Sequence, residues 1–145
     1  MFFLKDLPTQ QMIEGYAEAH GVAPKTIASA LAMMRRASLM IRRLESYFSD
    51  QGLSQLRFLV LIVIDREPDR ETLTVGEITE RLDVAGPVVA RTLRALLDDG
   101  LITQAKDASD ARVKHVGLTR LGKEKLGALL PGYMAIIADE MDGKA

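Results

Sequence analysis

A turn carrying two acids and an arginine, Asp107-Ala108-Ser109-Asp110-Ala111-Arg112, stands between two strand-like runs and is flanked by Lys106 and Lys114. Runs of this kind meeting at a polar turn fold as a β-hairpin, so residues 101–118 predict a hairpin with a charged tip. An arginine at such a tip suits a polyanion. Its guanidinium can enter a narrow groove where negative potential is concentrated, while the flanking lysines meet phosphates. Acids beside phosphate are repulsive and need another use. Asp110 is expected to brace the wing, by holding an arginine or closing the turn through its own backbone. Asp107 and Ser109 read as plain turn chemistry.

Just upstream, Gly86, Pro87, Val88 and Ala90 open an apolar-periodic segment that stops at Gly100. Short residues in the first turns of a helix allow close approach to a DNA groove. Val88 is suited to a thymine methyl, which the major groove presents. Arg91 and Arg94, three apart, share one face, with Val89, Leu93, Leu96 and Leu97 expected to point inward. Two surface arginines on a helix are equally well explained by solvation. The charged hairpin beside them shifts the reading to DNA contact.

Several elements must hold these groups in place. Residues 9–20 read as a short helix with Met12, Ile13, Tyr16 and Ala19 on one side, ended by Gly21. Pro24 opens a long helix to about Gln51, with Ile27, Ala30, Met34, Ala37, Ile41, Leu44 and Phe48 in a heptad-like seam. So broad an apolar stripe asks for more partner surface than one small domain gives, and it is read as a dimer interface rather than an ordinary core face. The pairs Arg35/Arg36 and Arg42/Arg43 lie off that seam and read as a solvated face. Ser54 caps a helix to about Asp65 whose apolar run predicts burial nearly all round. Thr74-Val75-Gly76-Glu77 is a capping box for a helix burying Val75, Ile78 and Leu82, and residues 83–86 form the turn before the next helix. Thr119 caps a helix through Leu130; Pro131 is expected to kink or restart it, and Met134, Ile137 and Met141 continue an apolar stripe.

Composition excludes several classes. The chain has 145 residues, enough for one domain or two small lobes, and with 48% hydrophobic but 5% aromatic residues it favours helices. Its net charge is −1, so any nucleic-acid site must concentrate positive charge locally. The absence of Cys removes disulfides, thiolate zinc sites and thiol redox sensing. His20 and His115 are far apart in sequence, and the acids fall on no catalytic motif, so neither a metal site, a cofactor nor an enzyme is expected. The N-terminus carries Lys5 and Asp6 where a secretory segment needs about 7–15 apolar residues. The longest apolar run, Phe58–Ile64, is far short of the roughly 20 residues of a membrane helix. A soluble cytoplasmic protein is expected.

Leu53-Ser54-Gln55-Leu56-Arg57-Phe58, Leu73-Thr74-Val75-Gly76-Glu77-Ile78, Leu96-Leu97-Asp98-Asp99-Gly100-Leu101-Ile102, Asp110-Ala111-Arg112 and Leu118-Thr119-Arg120-Leu121-Gly122 follow one another in the order and spacing of the MarR (multiple-antibiotic-resistance regulator) family, which the chain resembles over roughly residues 24–130. The resemblance implies a mainly α fold with a small β-hairpin wing: a winged helix-turn-helix at 53–118 between dimerisation helices at 1–52 and 119–145. It implies a homodimeric repressor or activator, a near-palindromic operator in double-stranded DNA, and a small apolar or aromatic ligand held between dimerisation and DNA-binding regions. The expected DNA contacts are Gly86, Pro87, Val88, Ala90, Arg91, Arg94, Lys106, Arg112 and Lys114, with Arg112 in the minor groove. The expected interface is Ile27, Met34, Ile41, Leu44, Phe48, Met134 and Ile137. The chain departs from the family in the apolar start of its recognition helix, in the lack of positive excess over 73–118 and in its short C-terminal helix. These departures keep a second reading open, a homologue that binds proteins rather than DNA.

Overall fold

Four hydroxyl residues set four helix starts. Thr9 Oγ1 accepts from the Met12 amide, Ser54 Oγ from Arg57 and Thr119 Oγ1 from Gly122. Thr74 Oγ1 accepts from Glu77, whose carboxylate accepts the Thr74 amide in return. Each cap satisfies first-turn amides that have no partner within the helix. The computed structural model describes residues 2–143. The elements run α1 (Gln10–His20), α2 (Pro24–Asp50), α3 (Gln55–Asp65), β1 (Thr72–Thr74), α4 (Val75–Glu80), α5 (Gly86–Asp98), β2 (Ile102–Lys106), β3 (Lys114–Leu118) and α6 (Arg120–Met141). Among the described residues, no helix is long and apolar enough to cross a membrane.

The chain divides into two compact units: the described residues of Met1–Leu44 with Ile136–Ala145, and Glu45–Ala135. In the first, α1 buries Ile13 and Ala17, whereas Met12, Tyr16 and Ala19, expected on its inner side, are exposed. Arg36 donates to the carbonyls of Glu140 and Met141, and Arg43 pairs with Glu140 at 3.1 Å and Asp139 at 3.5 Å. These two arginines hold the last turn of α6, where carbonyls without helical partners favour a cation, so they are not merely the solvated face expected of them. Along the seam of α2, Ala30, Met34, Ala37 and Ile41 are exposed and Ile27 is half-buried.

The second unit is built on a three-stranded antiparallel sheet in the order β1-β3-β2. Leu73 lies opposite Val116, Thr103 opposite Gly117 and Ala105 opposite His115. One face of the sheet buries Leu73, Ile102 and Val116, and α3, α4 and α5 add Phe58, Leu61, Ile78, Val89 and Leu96 to the same core. Strand β1 was not expected. Three residues, Thr72-Leu73-Thr74, are too few to establish an alternation, and the strand exists through its pairing with β3.

Phe48 requires a correction. Placed on the dimer seam by its spacing, it is wholly buried within the single chain. Its ring stacks on Phe58 at 4.5 Å, and Tyr133 lies 5.9 Å from Phe48 and 4.7 Å from Phe58. Leu44, also placed on the seam, is buried in the chain as well. The heptad spacing identified the apolar side of α2 but not what covers it. Pro131 does not restart the helix: α6 is one helix from Arg120 to Met141, with Pro131 inside it. A proline in a helix leaves the carbonyl four residues earlier unpaired. Here that residue is Gly127, exposed like Pro131 itself, so water can meet the carbonyl.

Candidate nucleic-acid interface

The α4–turn–α5 segment is fastened at its entry. Arg70 forms a two-pronged ion pair with Glu77, the second prong 2.6 Å long. That pair, with the Thr74 amide, pushes the Glu77 carboxyl down to about 2. Arg81 reaches Glu67 at 3.0 Å and the Glu77 carbonyl at 2.9 Å, binding the 66–71 loop to the end of α4. From this mount α5 buries Val89, Leu93 and Leu96 and exposes Gly86, Pro87, Ala90, Arg91 and Arg94. Its N-cap, Ala85, makes no side-chain hydrogen bond to the first turn. Val88 is half-buried and its carbonyl accepts from Thr92 Oγ1. Leu97 is 40% exposed rather than inward as expected. Helix α5 ends at Gly100, whose φ of 72° puts it in the left-handed region and turns the chain into β2.

The hairpin tip is organised by two carboxylates. Asp107 Oδ2 accepts from the Ser109 amide at 3.0 Å, the Ser109 hydroxyl at 2.9 Å and the Asp110 amide at 3.1 Å. Its Oδ1 lies 2.8 Å from His115 Nε2, which donates to it. His115 foremost, then the Ser109 and Asp110 donors, hold the Asp107 carboxyl well below the usual carboxylate range. Asp110 Oδ1 accepts from the Arg112 amide at 3.0 Å and from Nε at 3.1 Å, and Oδ2 accepts from Nη2 at 3.2 Å. The Arg112 side chain, 92% exposed, is therefore held by Asp110 on one edge and open on the other. The Asp107–His115 contact was missed by sequence reasoning, which treated His115 only as a remote histidine. The signal lies in the register: His115 faces Ala105, and Asp107 is two residues further along that side of the hairpin.

Between α5 and the hairpin runs an open groove of about 590 Å³, lined by Ala90 and Arg94 from the helix and by Lys106, Arg112 and Lys114 from the wing. Leu93 and Leu97 form part of its apolar floor. Five of the expected contact residues therefore meet in one place. Gly86, Pro87, Val88 and Arg91 are on α5 outside the groove lining. Four of the seven acids over 73–118 are engaged, while Glu80, Asp83 and Asp98 make no ion pair among the described residues. Glu77 is taken by Arg70, Asp99 by Arg57, Asp107 by His115 and Asp110 by Arg112. Among the described residues, Arg91, Arg94, Lys106 and Lys114 make no ion pair. The segment thus offers a cluster of cations even though the whole chain is slightly acidic.

Of the expected interface residues, Ile27, Met34, Ile41, Met134 and Ile137 keep accessible surface in the single chain, and Leu44 and Phe48 do not.

A helix pair followed by a cation-bearing hairpin on a three-stranded sheet defines a winged helix-turn-helix protein. Residues 51–113 match the MarR family. The chain is 27% identical over 140 residues to the HTH-type transcriptional repressor YetL of Bacillus subtilis, covering 96% of this chain and 83% of that one. Its fold superimposes on a point mutant of S. aureus MepR bound to an oligodeoxyribonucleotide with a TM-score of 0.60 and 27% identity, covering 80% of this chain and 79% of MepR. It also matches Bordetella bronchiseptica BpsR, a protein whose DNA binding is regulated by 6-hydroxynicotinic acid, with a TM-score of 0.69 and 16% identity over 79% of this chain and 85% of BpsR.

Proposed function

We propose that this protein is a cytoplasmic, homodimeric transcriptional regulator, acting as a repressor, that binds double-stranded DNA at a near-palindromic operator and answers to a small apolar or aromatic ligand. The observation that carries the reading is the groove between α5 and the wing. Arg94, Lys106, Arg112 and Lys114 converge there, while Asp107 and Asp110 are turned to internal hydrogen bonds. In this reading α5 enters the major groove with Gly86, Pro87, Val88 and Ala90 leading and Arg91 and Arg94 reaching bases or phosphates. Arg112 enters the adjacent minor groove, and Lys106 and Lys114 neutralise phosphates. MepR bound to an oligodeoxyribonucleotide supports the DNA partner, and BpsR supports control by a small molecule. The exposed seam of α2, with Ile27, Met34 and Ile41, together with Met134 and Ile137 of α6, supplies an apolar surface that a second copy would cover.

The test is selection from random duplex DNA followed by binding measurements across a salt series. A dimer neutralising about six phosphates loses on the order of a thousandfold in affinity between about 50 and 200 mM salt. Failure to select any duplex, or a nearly flat salt dependence, overturns the reading and leaves a protein-binding homologue in its place.

A further inference from the structure

Asp107 sits at the centre of the wing tip without pointing at the groove. One of its oxygens gathers the Ser109 amide, the Ser109 hydroxyl and the Asp110 amide; the other takes the His115 imidazole across the hairpin. The Asp107 amide donates to the Val113 carbonyl at 2.9 Å, and the Val113 amide donates to the Asp110 carbonyl at 3.0 Å, which closes the loop on itself. Asp110, set in place by these bonds, is the residue that orients Arg112. A continuous chain of hydrogen bonds therefore leads from the His115 ring through Asp107 and Asp110 to the Arg112 guanidinium. At its far end is the side chain type that ordinarily changes charge between roughly pH 5 and 8.

We propose that Asp107 and His115 form a proton-sensitive latch that positions Arg112, so that operator binding strengthens as His115 becomes protonated. This rests on the reading of Arg112 as a DNA contact. Protonated, His115 gives Asp107 a charge-assisted hydrogen bond; neutral, it gives a weaker one. The sign follows: the latch is tighter with the ring charged and looser with it neutral, so acidification tightens it. The charges around the ring act in a limited way. In β2 its cross-strand partner is Ala105, and in β1 it is Thr74, both uncharged. Of the helices packed on β3, α4 carries Glu77, which accepts the Thr74 amide and is matched by Arg70, and Glu80, and α3 carries Arg57, which pairs with Asp99, and Asp65. On the hairpin itself the neighbouring cations are Lys114 and its partner Lys106. Asp107 is the acid in direct contact.

The experiment uses the full chain and three variants: Asp107→Asn, His115→Gln and, as a control for the other histidine, His20→Gln. Binding to a duplex selected by the wild-type protein is measured at about pH 6 and about pH 8, where imidazole charge differs most. Amide hydrogen exchange at Ser109 and Asp110 is measured for all variants at both pH values, relative to the intrinsic rate at each. We expect wild type and His20→Gln to bind about three- to tenfold more tightly at the lower pH, the difference between a charged and a neutral hydrogen bond. Asp107→Asn and His115→Gln bind more weakly at the lower pH, lose most of the pH dependence and exchange the Ser109 and Asp110 amides faster. Asp107→Asn is decisive, because it keeps the histidine charge and removes an acid. If it gains affinity on acidification as wild type does, the effect is bulk charge and the latch is overturned. If wild type binds no duplex at any pH, the regulator reading falls. The exchange data then decide the latch alone: protection of the Ser109 and Asp110 amides that is the same at both pH values in wild type overturns it, and protection that falls from about pH 6 to about pH 8 in wild type but not in Asp107→Asn upholds it.

Discussion

Asp110→Ala removes a negative charge from the face proposed to meet DNA, yet it should weaken binding. Asp110 holds the Arg112 guanidinium with two side-chain hydrogen bonds, at 3.1 and 3.2 Å, and holds its backbone with a third at 3.0 Å. With its side chain 92% exposed, Arg112 has little else to fix it. Released, it must be ordered anew at each binding event, a loss of roughly two- to tenfold in affinity for one long side chain. The opposing gain is limited, because both side chains are solvent-exposed and salt weakens interactions of exposed charges. Ordering therefore outweighs charge. Arg112→Ala loses the groove contact itself, about 1–3 kcal/mol, and relaxes preference at the A·T flanks of the site. Fluorescence anisotropy with two selected duplexes differing in flank composition should rank Arg112→Ala weakest, Asp110→Ala intermediate and wild type tightest. In an Arg112→Ala background, Asp110→Ala should have almost no further cost, since the group it orients is gone. An Asp110→Ala protein that binds more tightly than wild type would refute the bracing argument and leave Asp110 as a repulsive surface acid.

Phe48→Ala should cost about 3–5 kcal/mol in urea unfolding, as expected for a fully buried phenylalanine stacked on a second ring. A loss below about 1 kcal/mol would return Phe48 to the surface seam. Ile41→Asp, on the exposed side of α2, should dissociate the protein into monomers seen by light scattering, and a wild-type mass of 16.0 kDa would remove the dimer itself. Glu77 titrates at about 2 in the folded chain against an ordinary 4.5, so its contribution to stability is complete above 4.5 and drains away as pH falls toward 2. Glu77→Gln should therefore destabilise at neutral pH, with the gap to wild type closing across that acid window; a gap independent of pH would show that the Arg70 pair does not set it.

Features written in adjacent residues were legible from the sequence. The caps at Ser54, Thr74 and Thr119 depend on residues three positions away, and all three helices begin just after them; the Thr9 cap, by contrast, was read as part of its helix. The hairpin followed for the same reason, its charged turn lying between two runs of matching length. Features set by distant partners were harder to read. Strand β1 exists because β3 lies beside it, and no three-residue window announces that. Phe48 continues the spacing of Met34 and Ile41 but is covered by Phe58 and Tyr133, so periodicity found the face and missed the cover. The charge tally over 73–118 could not show which acids are engaged: Glu77, Asp99, Asp107 and Asp110 have partners, and Glu80, Asp83 and Asp98 have none among the described residues. The contact between Asp107 and His115 was encoded in the register, one step beyond the alternation that located the strands.

The bonds that shape the wing tip are nearly all made among residues 107–115, whereas the base of the wing is set by pairing of β3 with β1 and β2. Shape and support are thus encoded in separate stretches of chain. A lineage could exchange the tip, with whatever DNA flank it prefers, and leave the hydrophobic interior untouched. The same division makes residues 107–113 a natural cassette for redesign: a library confined to these positions would sample new groove preferences on an unchanged mount, with most members still folded.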